Sequence, residues 1–210
     1  MALKKSDQVN EEIKVFREFK DAERVFKDNQ KSVDERISAL DYILTHNEIF
    51  FVLKMLNKLF KENRVEDHPL IDYAFSNFGV KPKREEDFDE MFKMLKSDNA
   101  CLRNMAIKFL QEFGVEAKSF LEKLMDNEDK DIRIFAINIL GDVRYEDSIE
   151  MLRYFILKEK DINAMMTAVD YLGEIGSEDD IKLLEAIKKD YENEPYVQFA
   201  IDTAIERIKG

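Results

Sequence analysis

Residues 127–142 read NEDKDIRIFAINILGD, and this stretch decides the fold. Its second part places the small Ala136 four residues after the apolar Ile132, and it closes with Leu140 and Gly141. Apolar residues spaced by three and four positions lie on one face of an α-helix, so the pattern predicts an amphipathic helix. Similar segments occur along the chain, each centred on an alanine: Ala39, Ala74, Ala106, Ala136, Ala168 and Ala200.

These alanines recur at a nearly constant interval. Successive alanines are 35, 32, 30, 32 and 32 residues apart. A second apolar-periodic stretch precedes each alanine-centred segment, at residues 15–26, 49–60, 88–95, 120–124, 149–157 and 181–187. A fixed period of about 32 residues indicates a repeat protein, in which each unit buries its apolar face against its neighbours. The sequence therefore predicts six repeats of two helices each.

Residues at the predicted helix ends support this division. Two pairs have the spacing of capping boxes: Asp147 with Glu150, and Ser177 with Asp180. Two prolines fit the first turn of a second helix: Pro69 and Pro195. Three glycines are candidates for the left-handed position after a second helix: Gly79, Gly141 and Gly173. We interpret residues 79–86 (GVKPKREE) as a loop, which predicts a polar segment at 1–12 followed by one domain over 13–210.

Composition and charge exclude several classes of protein. The 210 residues include 33 Lys and Arg against 45 Asp and Glu, a net charge of -12 that disfavours general binding of a phosphate backbone. No apolar run reaches the roughly 18 residues of a membrane span, and the N-terminus lacks the apolar core of a signal peptide. We therefore expect a cytoplasmic protein with no membrane partner. One cysteine, Cys101, cannot form an intramolecular disulfide or a cysteine zinc cage.

The central repeats resemble a known family. In residues 127–142, Asp129 precedes the turn, Ile132 and Arg133 open the second helix, and Ala136 and Leu140 follow at fixed spacing. This arrangement resembles a HEAT repeat, and specifically the short HEAT-like repeats of the phycobilisome lyase type. The resemblance covers about residues 13–208, although Ile71 and Met165 replace the expected arginine. It implies a right-handed α-solenoid whose second helices line the concave side and whose usual role is binding another protein.

The second helices have a consistent polar side. Counted from the first apolar residue, positions 1, 5, 8 and 9 share one apolar arc, and position 7 is polar in every repeat. Positions 3, 7 and 10 point away from the core in the central repeats and are the candidate partner-binding residues: Asn104, Lys108, Gln111, Ile134, Asn138, Met166 and Asp170. Two alternatives stay open for Ile134 and Met166, which form either an exposed apolar strip or part of the packing between repeats.

Two arginines share the position after the apolar opener of the second helix. Arg103 and Arg133 resemble the arginine of the HEAT repeat. We predict a structural role, in which they donate hydrogen bonds to acidic or carbonyl groups in the turns of adjacent repeats, including Asp98 and Asp129.

The sequence shows no catalytic constellation, metal cage or phosphate loop. His68 follows Glu66 and Asp67, which suggests either a weak metal site or a solvated helix cap. Cys101 is either a reactive thiol or a small buried hydrophobe. Residues 126–131 (DNEDKD) lack the glycine and glutamate of a calcium loop. Acidic turns either complement helix dipoles or dock a basic partner.

Three functional hypotheses follow. The first is a non-catalytic scaffold or adaptor that binds a protein partner on the concave second-helix face, without a cofactor. The second, suggested by the repeat type, is a lyase-like or cofactor-handling enzyme. The third, from HEAT-like DNA glycosylases, needs a basic concave strip, and position 7 offers only Lys108. The oligomeric state and the identity of the partner stay open.

Overall fold

The computed structural model describes residues 16–46, 49–61, 64–77 and 86–210, and within these ranges it contains helices and turns but no strand. Gly79 and most of the 79–86 connector lie outside the described residues. By contacts the chain divides into two compact units, 1–81 and 82–210, and the division falls in that connector. The single domain over 13–210 stays a prediction.

The first unit contains four described helices. They are α1 (Phe19–Lys27), α2 (Val33–His46), α3 (Ile49–Phe60) and α4 (His68–Asn77), with a 3₁₀ turn at Val65–Asp67 before α4. Helix α2 packs against α1, α3 and α4. Its buried residues Ala39, Leu40, Ile43 and Leu44 form the apolar face that the sequence pattern predicts.

The second unit contains eight helices in four pairs. They are α5 (Glu86–Leu95), α6 (Ala100–Phe113), α7 (Lys118–Met125), α8 (Lys130–Val143), α9 (Ser148–Lys158), α10 (Ile162–Ile175), α11 (Ile181–Asp190) and α12 (Pro195–Lys209). Each first helix packs on the second helix that follows it, and the second helices α6, α8, α10 and α12 contact one another in chain order. The all-helical pairing predicted from the sequence is confirmed in the described residues.

The buried face of the second helices follows the repeat. Positions 1, 5, 8 and 9 of α8 are Ile132, Ala136, Ile139 and Leu140, and all four are buried. Five of the six repeat alanines are fully buried, and Ala200 on α12 is partly exposed. A small residue at this position lets the helices approach closely, because a larger side chain would hold their backbones apart.

Helix N-termini are capped mainly by Asn and Asp. Asn99, Asp129 and Asp161 precede α6, α8 and α10, and each accepts a hydrogen bond from a backbone N–H of the first turn. Ser177 and Asp180 form the predicted capping box. The capping box predicted at Asp147 is wrong: its carboxylate binds the Lys118 ammonium at 2.6 Å instead of the helix backbone. Pro195 begins α12 as predicted, and Pro69 lies in the first turn of α4.

The predicted role of two glycines is also wrong. Gly141 and Gly173 lie inside α8 and α10, two residues before each helix ends. A side chain at Gly141 would meet the ring of Tyr171, and one at Gly173 would meet Ala204. Close helix packing, not a left-handed backbone, therefore requires glycine at these two positions. The glycines with positive φ at helix ends are Gly114, after α6, and Gly210, after α12.

Helix α8 ends instead on an arginine in the left-handed conformation. Arg144 has φ 54° and ψ 69°, and its N–H donates to the Leu140 carbonyl at 3.1 Å. A residue with a Cβ pays about 1–2 kcal/mol in this region, whereas glycine does not. We expect Arg144→Gly to raise the free energy of unfolding by up to about 1 kcal/mol in urea titrations.

A matched control for this prediction is Arg144→Ala. That variant removes the guanidinium, whose ion pair with Glu174 is 3.6 Å long and exposed, but keeps a Cβ in the left-handed region. Exposed pairs contribute about 0–1 kcal/mol, so we expect no gain from alanine. Equal gains from glycine and alanine would contradict the backbone explanation.

Candidate interaction surfaces

The seven predicted partner-binding residues occupy different environments on the second helices. Asn104, Lys108 and Asp170 are exposed, and Gln111, Ile134 and Asn138 are half-buried. Met166 is only 2% exposed. The polar residues therefore share the outer side of α6, α8 and α10, and the apolar ones are partly or fully covered.

Of the two alternatives for Ile134 and Met166, this burial favours packing between repeats. Helix α10 is packed by α8, α9 and α12, so its buried arc is wider than that of a helix with one neighbour. Met166 falls within this widened arc and belongs to the core. The strip has no exposed centre, and the exposed second-helix residues named above are polar, although Phe199 on α12 is 72% exposed.

Hydrogen bonds join successive repeats along this polar face. The Gln111 side-chain amide donates to the carboxylate of Asp142, 31 residues later. Asp170 accepts from Arg207 at 2.6 Å, 37 residues later. Together with the Arg144–Glu174 pair, these bonds hold carboxylates of α8 and α10 in fixed positions. Two predicted binding residues, Gln111 and Asp170, thus contact neighbouring repeats.

The negative charge is concentrated in the second unit. Residues 86–210 carry 29 acidic and 17 basic side chains, so they account for the whole net charge of -12, and residues 1–85 are balanced. Charge asymmetry of this kind is visible in the sequence, yet counting the chain as a whole hides it. The second-helix face displays part of this excess, through Asp142, Asp170, Glu174, Asp202 and Glu206.

The arginines of the repeat bind turns, as their position predicts, but through different partners. Arg133 donates from Nε and Nη2 to the two carboxylate oxygens of Glu159 at 2.6 and 2.8 Å. Its Nη1 donates to the carbonyls of Asn127 and Glu128. Because Glu159 directly follows α9, this arginine links its own turn to that of the next repeat.

Arg103 has a simpler set of contacts. Its Nη1 donates to the Ser97 carbonyl at 2.7 Å, within its own repeat. The two acidic residues predicted as acceptors take other places: Asp129 caps α8, and Asp98 is exposed. Asp129 does not accept from these arginines because an N-cap carboxylate is already directed at the helix N–H groups.

Sequence reasoning missed a third arginine of the same kind. Arg36 occupies the same helix position in the first repeat, and it is 3% exposed. It donates to the Phe26 carbonyl and to Asp67, each at 2.8 Å, and Arg64 binds the other carboxylate oxygen of Asp67 at 2.7 Å. Its position three residues before the repeat alanine Ala39, the same as that of Arg103 and Arg133 in their repeats, could have identified it from the sequence.

The residues considered above for chemistry, His68 and Cys101, lie near the beginnings of helices, and the other histidine, His46, lies at the end of one. Asp67, next to His68, is buried in the ion pair with Arg36. No group of three or more His, Cys, Asp or Glu in the described residues could hold a metal ion. His46 ends α2 and stacks on Tyr42 with ring centroids 4.3 Å apart. Cys101 is partly exposed, and its N–H donates to Asn99.

Burial and hydrogen bonding act in opposite directions on Glu159. Burial raises the pKa of its carboxyl, but hydrogen bonds from Arg133 and from the N–H groups of Asp161 and Lys160 outweigh burial and lower it. A carboxyl with a lowered pKa stabilises the folded state above its unfolded pKa of about 4.3, and this contribution is lost as pH falls through the folded value.

Replacing this carboxylate should therefore change how stability depends on pH. We expect Glu159→Gln to cost about 1 kcal/mol of unfolding free energy at pH 7, and the difference from the unmodified protein should shrink below about pH 4. Urea titrations between pH 3 and 7 would measure both. The exposed Glu185→Gln on α11 is the control, and an equal response from it would contradict the role of the Arg133 pair.

The first helices of this unit form a separate apolar groove. It lies between α7 and α9, has a volume of about 360 Å³, and is lined by Glu122, Met125, Asp126, Glu150, Met151, Tyr154 and Lys158. Sequence reasoning missed it, because a groove between two helices of neighbouring repeats has no signature in the pattern of either helix.

Comparison with known proteins identifies the repeat class for part of the chain. Residues 117–203 match the family model of HEAT repeats, a segment that begins just before α7 and ends within α12. This match supports HEAT repeats in the second unit, where the helix pairs and the Arg133 contacts are found. It does not select the phycobilisome lyase type. No curated protein matches the sequence.

None of the helices in the described ranges is long and apolar enough to cross a membrane.

Proposed function

We propose that the protein is a non-catalytic interaction scaffold that binds a basic segment of a partner protein on the second-helix face of residues 86–210. The observation that carries this proposal is the row of carboxylates on α8, α10 and α12, of which Asp142 and Asp170 are held by bonds between repeats. Carboxylates already in place lose little conformational entropy on binding, and they select a partner of opposite charge.

The order of helix contacts supports this face as the concave one. The second helices of the unit contact one another in sequence, and the first helices α7 and α9 leave a groove between them. When the helices of one layer pack more closely than those of the other layer, the stack of repeats curves toward the more closely packed layer. HEAT repeats are commonly protein-interaction scaffolds, and curved solenoids provide extended concave binding surfaces.

We further propose that the helix pairs wind as a right-handed α-solenoid of the phycobilisome lyase type and that the protein is cytoplasmic. Stacked repeats make an elongated particle. We expect small-angle scattering to give a radius of gyration above the roughly 17 Å of a spherical domain of 210 residues. A value at or below 17 Å would contradict the solenoid.

The experiment for the scaffold uses charge-neutralised variants. The partner is first captured on the full chain from an extract of the source cells and purified. We expect Asp142→Asn with Asp170→Asn and Glu174→Gln to weaken its binding at least about tenfold in 0.1 M salt, because three attractive charges are removed.

The control carries the same loss of charge on a first helix and its following turn, through Glu185→Gln, Asp190→Asn and Glu192→Gln. It should bind almost as well as the unmodified chain. Equal weakening by both sets would show that only net charge matters, and no weakening by the first set would contradict the proposed face.

The two alternatives predict other results. A lyase-like or cofactor-handling enzyme would act on a small molecule, and no observation in the described residues favours it. A HEAT-like nucleic-acid-binding protein would need a basic strip, whereas the exposed second-helix face of α8, α10 and α12 carries Asp142, Asp170, Glu174, Asp202 and Glu206. Tighter binding of duplex DNA by the neutralised variant than by the control would favour that third function.

A further inference from the structure

Helix α9 exposes two large apolar side chains, of which Tyr154 lines the groove between α7 and α9. Tyr154 is 63% exposed and Leu157, one turn further along α9, is 70% exposed. With Met151 they lie on the outward side of α9, whereas Phe155 and Ile156 face the core. A groove bordered by exposed apolar side chains on a polar surface usually marks an interaction site.

The rim of the groove is acidic. Glu122 and Asp126 lie on the α7 side, and Glu150 lies on α9. Among the lining residues the only base is Lys158, so the rim carries three carboxylates and one ammonium. The electrostatic complement of this rim is a cationic group, placed next to an apolar one.

Lys158 itself occupies the position that such a cation would take. Its ammonium pairs with Asp126 and lies 4.6 Å from the centroid of the Tyr154 ring. A cation beside a carboxylate and over an aromatic face is a favourable arrangement that a lysine or arginine of another chain could reproduce. Burial lowers the pKa of Lys158.

We propose that this groove docks a peptide segment of a partner protein, in which one large apolar side chain is flanked by lysine or arginine. The apolar side chain enters between Met125, Met151 and Tyr154. A flanking cation takes the place of the Lys158 ammonium at Asp126 and over Tyr154, and a second cation faces Glu122, since Glu150 already pairs with Arg153 at 3.6 Å. This inference rests on the proposed function in taking a protein as partner, but it concerns the first helices, not the second-helix face.

The size and chemistry of the groove favour this occupant. A volume of about 360 Å³ is near the lower limit of roughly 300–1,000 Å³ for small-molecule pockets, and it suits one or two apolar side chains. Anchors of interfaces are large apolar side chains in such pockets, surrounded by a polar rim. Here the rim has a single dominant sign of charge, which selects a basic sequence.

The test uses three labelled peptides that differ only at defined positions. The first has the sequence Gly-Lys-Lys-Phe-Lys-Lys-Gly, the second replaces Phe with Ala, and the third replaces every Lys with Glu. Fluorescence anisotropy with the full chain measures binding at 0.05 and 0.5 M NaCl. We expect the first peptide to bind at least about tenfold more tightly than either of the others, and more weakly at high salt.

Three variants of the protein locate the binding. We expect Tyr154→Ala to weaken the first peptide at least about tenfold, and the matched Tyr196→Ala, an exposed tyrosine on α12, to leave it unchanged. Asp126→Asn should reduce both the affinity and the salt dependence. Lys158→Gln should tighten binding several-fold because it removes the competing ammonium, and Lys160→Gln, two residues further along the chain, should not.

The Lys158 variant separates docking from a structural role, since loss of a supporting ion pair would weaken binding instead. The proposal is overturned if Lys158→Gln weakens the peptide, if the Phe and Ala peptides bind equally, or if Tyr196→Ala acts like Tyr154→Ala. Self-association of the chain that is lost in Tyr154→Ala, seen by analytical ultracentrifugation, would assign the groove to a second copy and overturn it as well.

The failure of the groove proposal and the failure of the second-helix face can be told apart. If the captured partner is released by neutralising Asp142, Asp170 and Glu174 but not by Tyr154→Ala, the groove proposal fails and the second-helix face stands. If peptide binding follows Tyr154 and Lys158 while those neutralised variants still hold the partner, the groove proposal stands and the second-helix face fails.

Discussion

Replacing Arg36 with methionine is expected to lower the free energy of unfolding of the first unit by about 3 kcal/mol. The guanidinium is buried and binds both the Phe26 carbonyl and the carboxylate of Asp67. Removing one partner of a buried ion pair costs about 3–5 kcal/mol because the other charge stays buried, and Arg64 on the second oxygen of Asp67 keeps the loss near the lower limit.

Hydrogen exchange of the amides in α2, followed by mass spectrometry, would report this loss for the first unit alone. The control is Arg24→Met: Arg24 is 77% exposed in its pair with Asp21, and its removal should change stability by less than about 0.5 kcal/mol. A double variant, Arg36→Met with Asp67→Leu, removes both buried charges and should recover much of the loss. A double variant no more stable than Arg36→Met alone would contradict the ion-pair explanation.

The contacts of Arg36 and Arg133 show what the repeat register predicts and where it fails. Both arginines lie three residues before the repeat alanine of a second helix. Arg36 binds a carbonyl in the last turn of α1, Arg133 binds carbonyls of the turn after α7, and each binds a carboxylate of the next repeat. The period places the arginine correctly because it is set by the helix face. The carboxylate comes from turns of different length, so it is Asp67 in one repeat and Glu159 in another, and the period cannot identify it.

The same limit applies to the surfaces. The polar character of position 7 was predictable, since that position points away from the core at 100° per residue. The burial of Met166 depends on how α12 and α8 approach α10, and that distance is set by the small residues of other repeats. The groove beside Tyr154 likewise depends on the separation of α7 and α9. Properties of single helices are thus readable from the sequence, whereas properties of helix pairs require the structure.

Glycine at position 10 of the second helix illustrates the difference. The sequence suggests a left-handed cap for Gly141 and Gly173, because each follows a leucine near the end of an apolar pattern. The structure continues both helices beyond the glycine and brings the next second helix against it. The two explanations predict opposite effects of adding a methyl group there.

Gly173→Ala is expected to destabilise the second unit by about 1–2 kcal/mol. Helix propensity alone would make alanine about 1 kcal/mol more favourable than glycine inside α10. A Cβ at this position would lie 2.8 Å from the Cα and 2.9 Å from the Cβ of Ala204, which is buried on α12. The backbone of α12 must shift to accommodate it, and overpacking of this kind costs about 1–3 kcal/mol or more. Urea unfolding of the full chain would measure the balance.

Gly141→Ala provides the matched comparison, because there the three atoms nearest to the added methyl belong to the ring of Tyr171. Truncating that ring makes room, so Gly141→Ala should cost stability in the native background and little or nothing in a Tyr171→Ala background. No such rescue is available at Gly173, where the obstacle is the α12 backbone. If both glycine variants are more stable than the unmodified chain, helix propensity governs these positions and the close packing of second helices is contradicted. If Gly173→Ala is the more damaging and only Gly141→Ala is rescued, the contact between α10 and α12 is what requires glycine at this position of the repeat.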